Sequence, residues 1–173
     1  SKDEFEPFPL TEIQEAYWFG RGQAYELGDV SAHGYLEFDM EHLDYELFCS
    51  ALGKLITRHP MLRAVIDENG MQRILEKVPE YKPEIIQLDS FKQEDAEKEL
   101  QRVREEMSHE VLASDTWPLF KVKVSNLQNQ KSRIHLSIDM LIVDAFSLNI
   151  LLKELGIFYA KEDSRLRELD ITY

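Results

Sequence analysis

A chain of 173 residues with 43% hydrophobic content is long enough for one domain, or one lobe of a larger one, with its own core. Its net charge of −13, with no Lys/Arg cluster, argues against a nucleic-acid or anionic-membrane surface. No apolar run reaches the length of a membrane span; the single Cys49 excludes an internal disulfide and suits a reducing cytoplasm; five scattered His show no metal-ligand spacing. The polar, acidic residues 1–7 do not read as a signal peptide.

In residues 8–21, Thr11 and Gln14 have capping-box spacing, which predicts a short helix from near Thr11 with Gly20 as its stop. Ile13, Tyr17 and Trp18 are expected to pack inward. Residues 31–40 alternate: Leu36, Phe38 and Met40 on one face, Tyr35, Glu37 and Asp39 on the other, the pattern of a half-buried strand. Asp44 then caps a helix, with Leu43 and Phe48 as its hydrophobic staple and Phe48, Leu52, Leu55 and Ile56 as its apolar stripe.

Pro60 ends that helix. Residues 61–66 read as a strand, Asn69-Gly70 as a two-residue hairpin turn, and residues 71–78 as the partner strand. After Pro79 and Pro83 comes a short apolar run, 85–88. Ser90 and Gln93 repeat the capping-box spacing. Ala96, Leu100, Val103, Met107 and Val111 then mark an amphipathic helix over 91–113 with a charged outer face.

Trp117-Pro118 breaks the chain again. Phe120, Val122 and Val124 alternate with polar residues, a turn follows at 126–132, and Ile134, Leu136 and Ile138 complete a hairpin that runs into Asp139. His135 faces away from those apolar positions. From Ala145, the residues Phe146, Ile150, Leu151, Leu155 and Phe158 predict a buried helix, and the polar residues 161–173 are expected to fray.

Residues 139–147 place two acids and a hydroxyl between a strand end and an apolar helix, where polar groups are costly unless paired or used. Asp144 fits a helix cap or a buried ion pair with an Arg, and equally a direct chemical role. Asp139 suits an Arg partner or the wall of a channel. Ser147 offers a hydrogen-bonding hydroxyl, with no base legible beside it for a nucleophile. His33, His42, His59 and His109 read as surface or partly buried polar residues.

Three segments together resemble the heterocyclization domain of nonribosomal peptide synthetases, a branch of the condensation-domain superfamily. They are Phe8-Pro-Leu-Thr-Glu-Ile-Gln-Glu-Ala-Tyr-Trp-Phe-Gly-Arg21, Arg58-His-Pro-Met-Leu-Arg63, and residues 139–147, which fit the pattern DxxxxDxxS at Asp139, Asp144 and Ser147. The resemblance implies an α+β fold, a chloramphenicol-acetyltransferase-like lobe with a mixed β-sheet flanked by helices. Residues 1–173 would form the N-terminal lobe of a two-lobed domain whose channel lies between the lobes, with the C-terminal lobe absent.

The implied reaction joins a carrier-bound acyl or peptidyl thioester to carrier-bound Cys, Ser or Thr, then cyclodehydrates the product to a thiazoline or oxazoline. The first stage calls chiefly for positioning, the second for proton transfer. Asp139, Asp144 and Ser147 are the implied site residues, with Arg63, Arg58 and His59 as structural support. Where condensation domains carry HHxxxDG, Asp139 and Met140 replace the two histidines, and Asp144 aligns with the acid, whose implied partner is Arg63. No metal or cofactor is implied beyond the phosphopantetheine arms of partner carrier proteins. The implied partners are upstream and downstream peptidyl carrier proteins, adjacent synthetase domains, the missing C-terminal lobe, and a second copy by self-association. An ordinary condensation domain or acyltransferase of the same superfamily, and a non-catalytic docking lobe for carriers, are the alternatives.

Overall fold

A computed structural model of the chain describes residues 2–15, 18 and 33–162. The strands are β1 (Phe8–Pro9), β2 (His33–Glu41), β3 (Ala64–Ile66), β4 (Met71–Ile74), β5 (Glu84–Gln87), β6 (Phe120–Asn126) and β7 (Lys131–Asp139). The helices are α1 (Tyr45–Arg58), α2 (Gln93–His109) and α3 (Ala145–Glu162), with short 3-10 turns at Lys2–Phe5, Pro60–Arg63 and Gln128–Gln130.

The larger sheet has the order β2-β7-β6-β5 and is antiparallel except between β5 and β6. β2 pairs with β7 along its whole length, from His33 opposite Asp139 to Glu41 opposite Lys131. Period-two alternation turns Phe38, Phe120, Val122, Val124, Ile134 and Ile138 to one face. There they meet Phe48, Leu52, Leu55 and Ile56 of α1 and Leu151, Leu155 and Tyr159 of α3. α2 covers the opposite face with Leu100, Val103 and Met107. A smaller antiparallel sheet, β1-β4-β3, packs beside this three-layer body.

Several local expectations hold. Thr11 and Gln14 form a reciprocal capping box: the Gln14 N–H donates to Thr11 Oγ1 (3.2 Å) and the Thr11 N–H to Gln14 Oε1 (3.0 Å). Asp44 caps α1, accepting from the Leu47 N–H at 3.2 Å.

Others are corrected. Ile13 is 70% exposed, because the short helix turns Gln14 inward instead; Trp18 does pack on the core, while Tyr17 and Gly20 lie outside the described residues. Pro60 opens a 3-10 turn, so the strand expected over 61–66 shortens to β3. The β3–β4 loop has four residues, 67–70, not two, and is closed by the Asp67 N–H on the Met71 carbonyl at 2.9 Å. Gly70 supplies the positive φ of 75° that this loop needs. Ser90 does not cap α2. The helix starts at Gln93 with Lys92 at the cap position, which leaves Ser90 too far out, and Glu94 and Asp95 in the first turn meet the helix dipole.

The polar face of the larger sheet is not a solvent face. His135 points away from the apolar positions as its alternation requires, yet it is fully buried under α2. Its Nε2 lies 2.7 Å from Ser125 Oγ and its Nδ1 2.9 Å from the Tyr35 hydroxyl. Tyr35 donates to Glu37 Oε2 at 2.7 Å, and Arg104 of α2 pairs with the other oxygen of Glu37. Burial pushes the His135 pKa down to about 4.

The folded chain therefore holds His135 neutral through a range where the unfolded chain protonates it. The linked stability is intact above the unfolded value and falls as pH drops from about 6.5 toward 4. Urea unfolding at pH 7 and pH 5 is expected to show a loss of about 2 kcal/mol from this group, which His135→Gln removes. Glu37, held below its ordinary value despite partial burial by its bonds to Arg104 and Tyr35, makes its own contribution only at lower pH.

Candidate active site

The end of β7 shapes the acidic turn. Asp139 is 3% exposed and serves the backbone three ways. Its N–H donates to the Leu119 carbonyl (2.9 Å), its carbonyl accepts from the Ile142 N–H (3.1 Å), and its Oδ1 accepts from the Leu141 N–H (2.9 Å). A buried carboxylate needs such donors. The three residues between Met140 and Asp144, namely Leu141, Ile142 and Val143, are all buried in the core. They anchor the loop from within.

Asp144 sits immediately before α3 and is exposed. Its Oδ1 accepts from the Ser147 N–H at 2.7 Å, and its carbonyl accepts from the Leu148 N–H at 2.9 Å. The DxxS spacing is thus the spacing of a helix cap. Ser147 lies half-buried in the first turn of α3. The motif brings one buried and one exposed carboxylate to a single loop, with a hydroxyl at the start of the next helix.

The pairing of Arg63 with Asp144 is not formed. Arg63 is buried, and its Nε donates to the Leu75 carbonyl (3.0 Å) while Nη1 donates to those of Ile56 (2.9 Å) and Thr57 (2.7 Å). Its guanidinium closes the open carbonyls at the end of α1, whereas Asp144 serves an exposed helix start. The second motif reaches α3 by another route. His59 bonds to Glu154, and Arg58 Nε lies 3.5 Å from the same carboxylate. The His59 bond holds the Glu154 carboxyl below its ordinary range.

The first motif touches the third directly. Gln14 Nε2 donates to the Leu141 carbonyl at 2.8 Å and is paired with the side chain of Gln72. Sequence reasoning missed Glu154 and Gln72. Gln72 had a legible signal: it shares the inward face of β4 with Ile74, an unusual place for an amide. Among the described residues, no group of three or more His, Cys, Asp or Glu is arranged to hold a metal ion.

A sequence profile of the Condensation domain matches residues 6–173. The chain belongs to the condensation-domain family. It is 36% identical over 168 residues to bacitracin synthase 1 of Bacillus licheniformis, covering 97% of this chain and 3% of that protein. It is 37% identical over 168 residues to phenyloxazoline synthase MbtB of Mycobacterium sp. (strain MCS), covering 96% of this chain and 14% of that one. Among solved structures, the EpoB cyclization-docking bidomain from Sorangium cellulosum superposes with a TM-score of 0.85 at 36% identity, over 94% of this chain and 32% of that one. The chain therefore spans a small fraction of its curated relatives and about a third of that bidomain. Its mixed sheet flanked by helices is the α+β, chloramphenicol-acetyltransferase-like architecture of the family's solved structures.

The two roles found for Arg63 and Asp144 are independent, and double-mutant analysis tests this. Losing the Asp144 cap in Asp144→Ala is expected to cost about 1 kcal/mol. Arg63→Ala, which strips three carbonyls of their donor, is expected to cost about 3 kcal/mol. In urea titrations the double variant should equal the sum to within about 0.5 kcal/mol. A larger coupling would restore the ion pair.

Proposed function

We propose that this chain is the N-terminal lobe of a heterocyclization domain of a nonribosomal peptide synthetase, forming one wall of a channel completed by a second lobe. The observation that carries the reading is the acidic motif Asp139, Asp144 and Ser147, set at a strand-to-helix turn in a chain 36% identical to a cyclization domain. The apolar Met140, where ordinary condensation domains carry their second histidine, favours this branch over simple condensation.

In the first stage the amine of carrier-bound Cys, Ser or Thr attacks the carbonyl carbon of the upstream thioester. The carrier's thiol leaves and an amide forms. The side-chain thiol or hydroxyl then adds to the amide carbonyl, the oxygen departs as water, and the nitrogen gives up its proton as the C=N bond of a thiazoline or oxazoline forms. The departing oxygen needs a proton donor, and the nitrogen and the attacking heteroatom need acceptors. In this reading Asp144 presents a carboxylate to the channel, with Ser147 beside it as a hydrogen-bonding group. Asp139 holds the turn that carries them. Both acyl groups arrive on phosphopantetheine arms of upstream and downstream carrier proteins, and the domain binds no cofactor of its own. Alone, the lobe is inactive.

Intact-mass spectrometry of two loaded carriers tests this, first with the chain alone and then with a cyclization-domain second lobe supplied in trans. The expected result is condensation followed by loss of 18 Da, the mass of one water, only when both lobes are present. Product from the chain alone overturns the half-channel reading. Silence with both lobes, on carriers that an intact domain processes, favours a docking lobe.

Ile13, Ile150 and Ile157 are exposed on the described surface. Self-association is expected from such surface, and light scattering across a wide concentration range measures it. A constant monomer mass would count against it.

A further inference from the structure

Gln14 and Gln72 form a closed amide pair between three separate segments. Gln14 Nε2 donates to Gln72 Oε1 (3.0 Å) and to the Leu141 carbonyl (2.8 Å). Gln72 Nε2 donates to Gln14 Oε1 (3.0 Å) and to the Pro9 carbonyl (3.0 Å). Gln14 Oε1 also accepts from the Thr11 N–H. Both side-chain NH2 groups thus have two acceptors each, the full capacity of a primary amide. Gln72 is 2% exposed and Gln14 half-buried, so this is a partly buried network with both NH2 groups satisfied, the kind that favours one geometry.

What the pair holds is the acidic turn. The peptide between Leu141 and Ile142 has its C=O on Gln14 and its N–H on the Asp139 carbonyl. Rotating that peptide breaks both bonds at once. The neighbouring Leu141 N–H is the donor to the Asp139 carboxylate. Orientation of the carboxylate therefore follows from orientation of this short stretch, and that stretch is braced from the β3–β4 hairpin and the opening segment.

We infer that Gln14, braced by Gln72, is the positioning residue of the acidic turn, setting the direction of the Asp139 carboxylate and the entry into α3. This rests on the reading of residues 139–147 as the site of the proposed function. The structural half of the inference stands apart from it and can be tested alone.

Gln14→Glu preserves shape but puts a carboxylate oxygen against the Leu141 carbonyl and Gln72 Oε1. Protonating that acid returns one donor. In the intact chain at pH 7, the Leu141 and Ile142 amide signals in a 15N–1H correlation spectrum are expected to move away from the parent positions. They should move back as pH falls toward about 5, because burial against two carbonyl oxygens raises the pKa of the new acid. The parent, followed over the same pH range, is the control against which that return is read. With the second lobe and loaded carriers, the variant is expected to lose turnover on the order of a hundredfold at pH 7 and regain part of it toward pH 5.

Amide signals that stay at the parent positions at pH 7 overturn the inference. So do signals that shift but do not return on protonation, since damage without a donor requirement is not positioning. Gln72→Met provides a route without an introduced charge. It leaves the Leu141 bond but removes the brace, so the Gln14 side-chain NH2 signals should shift, and Leu141 and Ile142 should follow by a smaller amount. No change there also overturns the inference. If the parent chain with its second lobe makes no product, the proposed function fails while the amide shifts still decide the role of Gln14.

Discussion

Everything at the acidic turn depends on the burial of Leu141, Ile142 and Val143 between two carboxylates. β7 ends at Asp139, whose side chain and carbonyl accept from the Leu141 and Ile142 N–H groups, and the chain turns over the core with all three apolar side chains buried. The acids at either end are then forced into different environments. Asp139 stays inside, where its oxygen finds a backbone N–H, and Asp144 comes out at the start of a helix, where it caps. The same anchoring fixes where α3 begins and hence which of its residues meet α1.

The three motifs that are far apart in sequence converge by two different contacts. Gln14 reaches the Leu141 carbonyl from the opening segment, and His59 reaches Glu154 from the end of α1. Arg63 looks as if it should join them but works locally, closing helix carbonyls that its own chain reversal would otherwise leave open. A residue next to a site motif can thus be indispensable to the backbone without touching the acids.

Elements with a clean period were legible from the sequence. β2, β6 and β7 follow from alternation of Leu36 and Phe38, of Val122 and Val124, and of Ile134 through Ile138; α1 follows from its cap and stripe. Partners of polar side chains were not. Alternation put His135 on the polar face, but only the packing of α2 decides that this face is dry. The capping-box spacing held at Thr11 and failed at Ser90, because spacing says nothing about where the first helical turn closes. Asp139, Asp144 and Ser147 were legible as a group. Their division into a turn-former and a cap required knowing which of the intervening residues are buried.

The polar layer under α2 has a direction. Tyr35 has a single proton and gives it to Glu37, so toward His135 it can only accept. The imidazole therefore carries its proton on Nδ1, and Nε2 is left to accept from the Ser125 hydroxyl. Donors point one way from β6 through β7 to β2, and the chain ends on a carboxylate that Arg104 neutralises from the helix. One tautomer of one ring thus sets the polarity of a hydrogen-bond relay across three strands. Reversing the donor between Ser125 and His135, both fully buried, would leave two lone pairs or two protons facing each other out of reach of solvent.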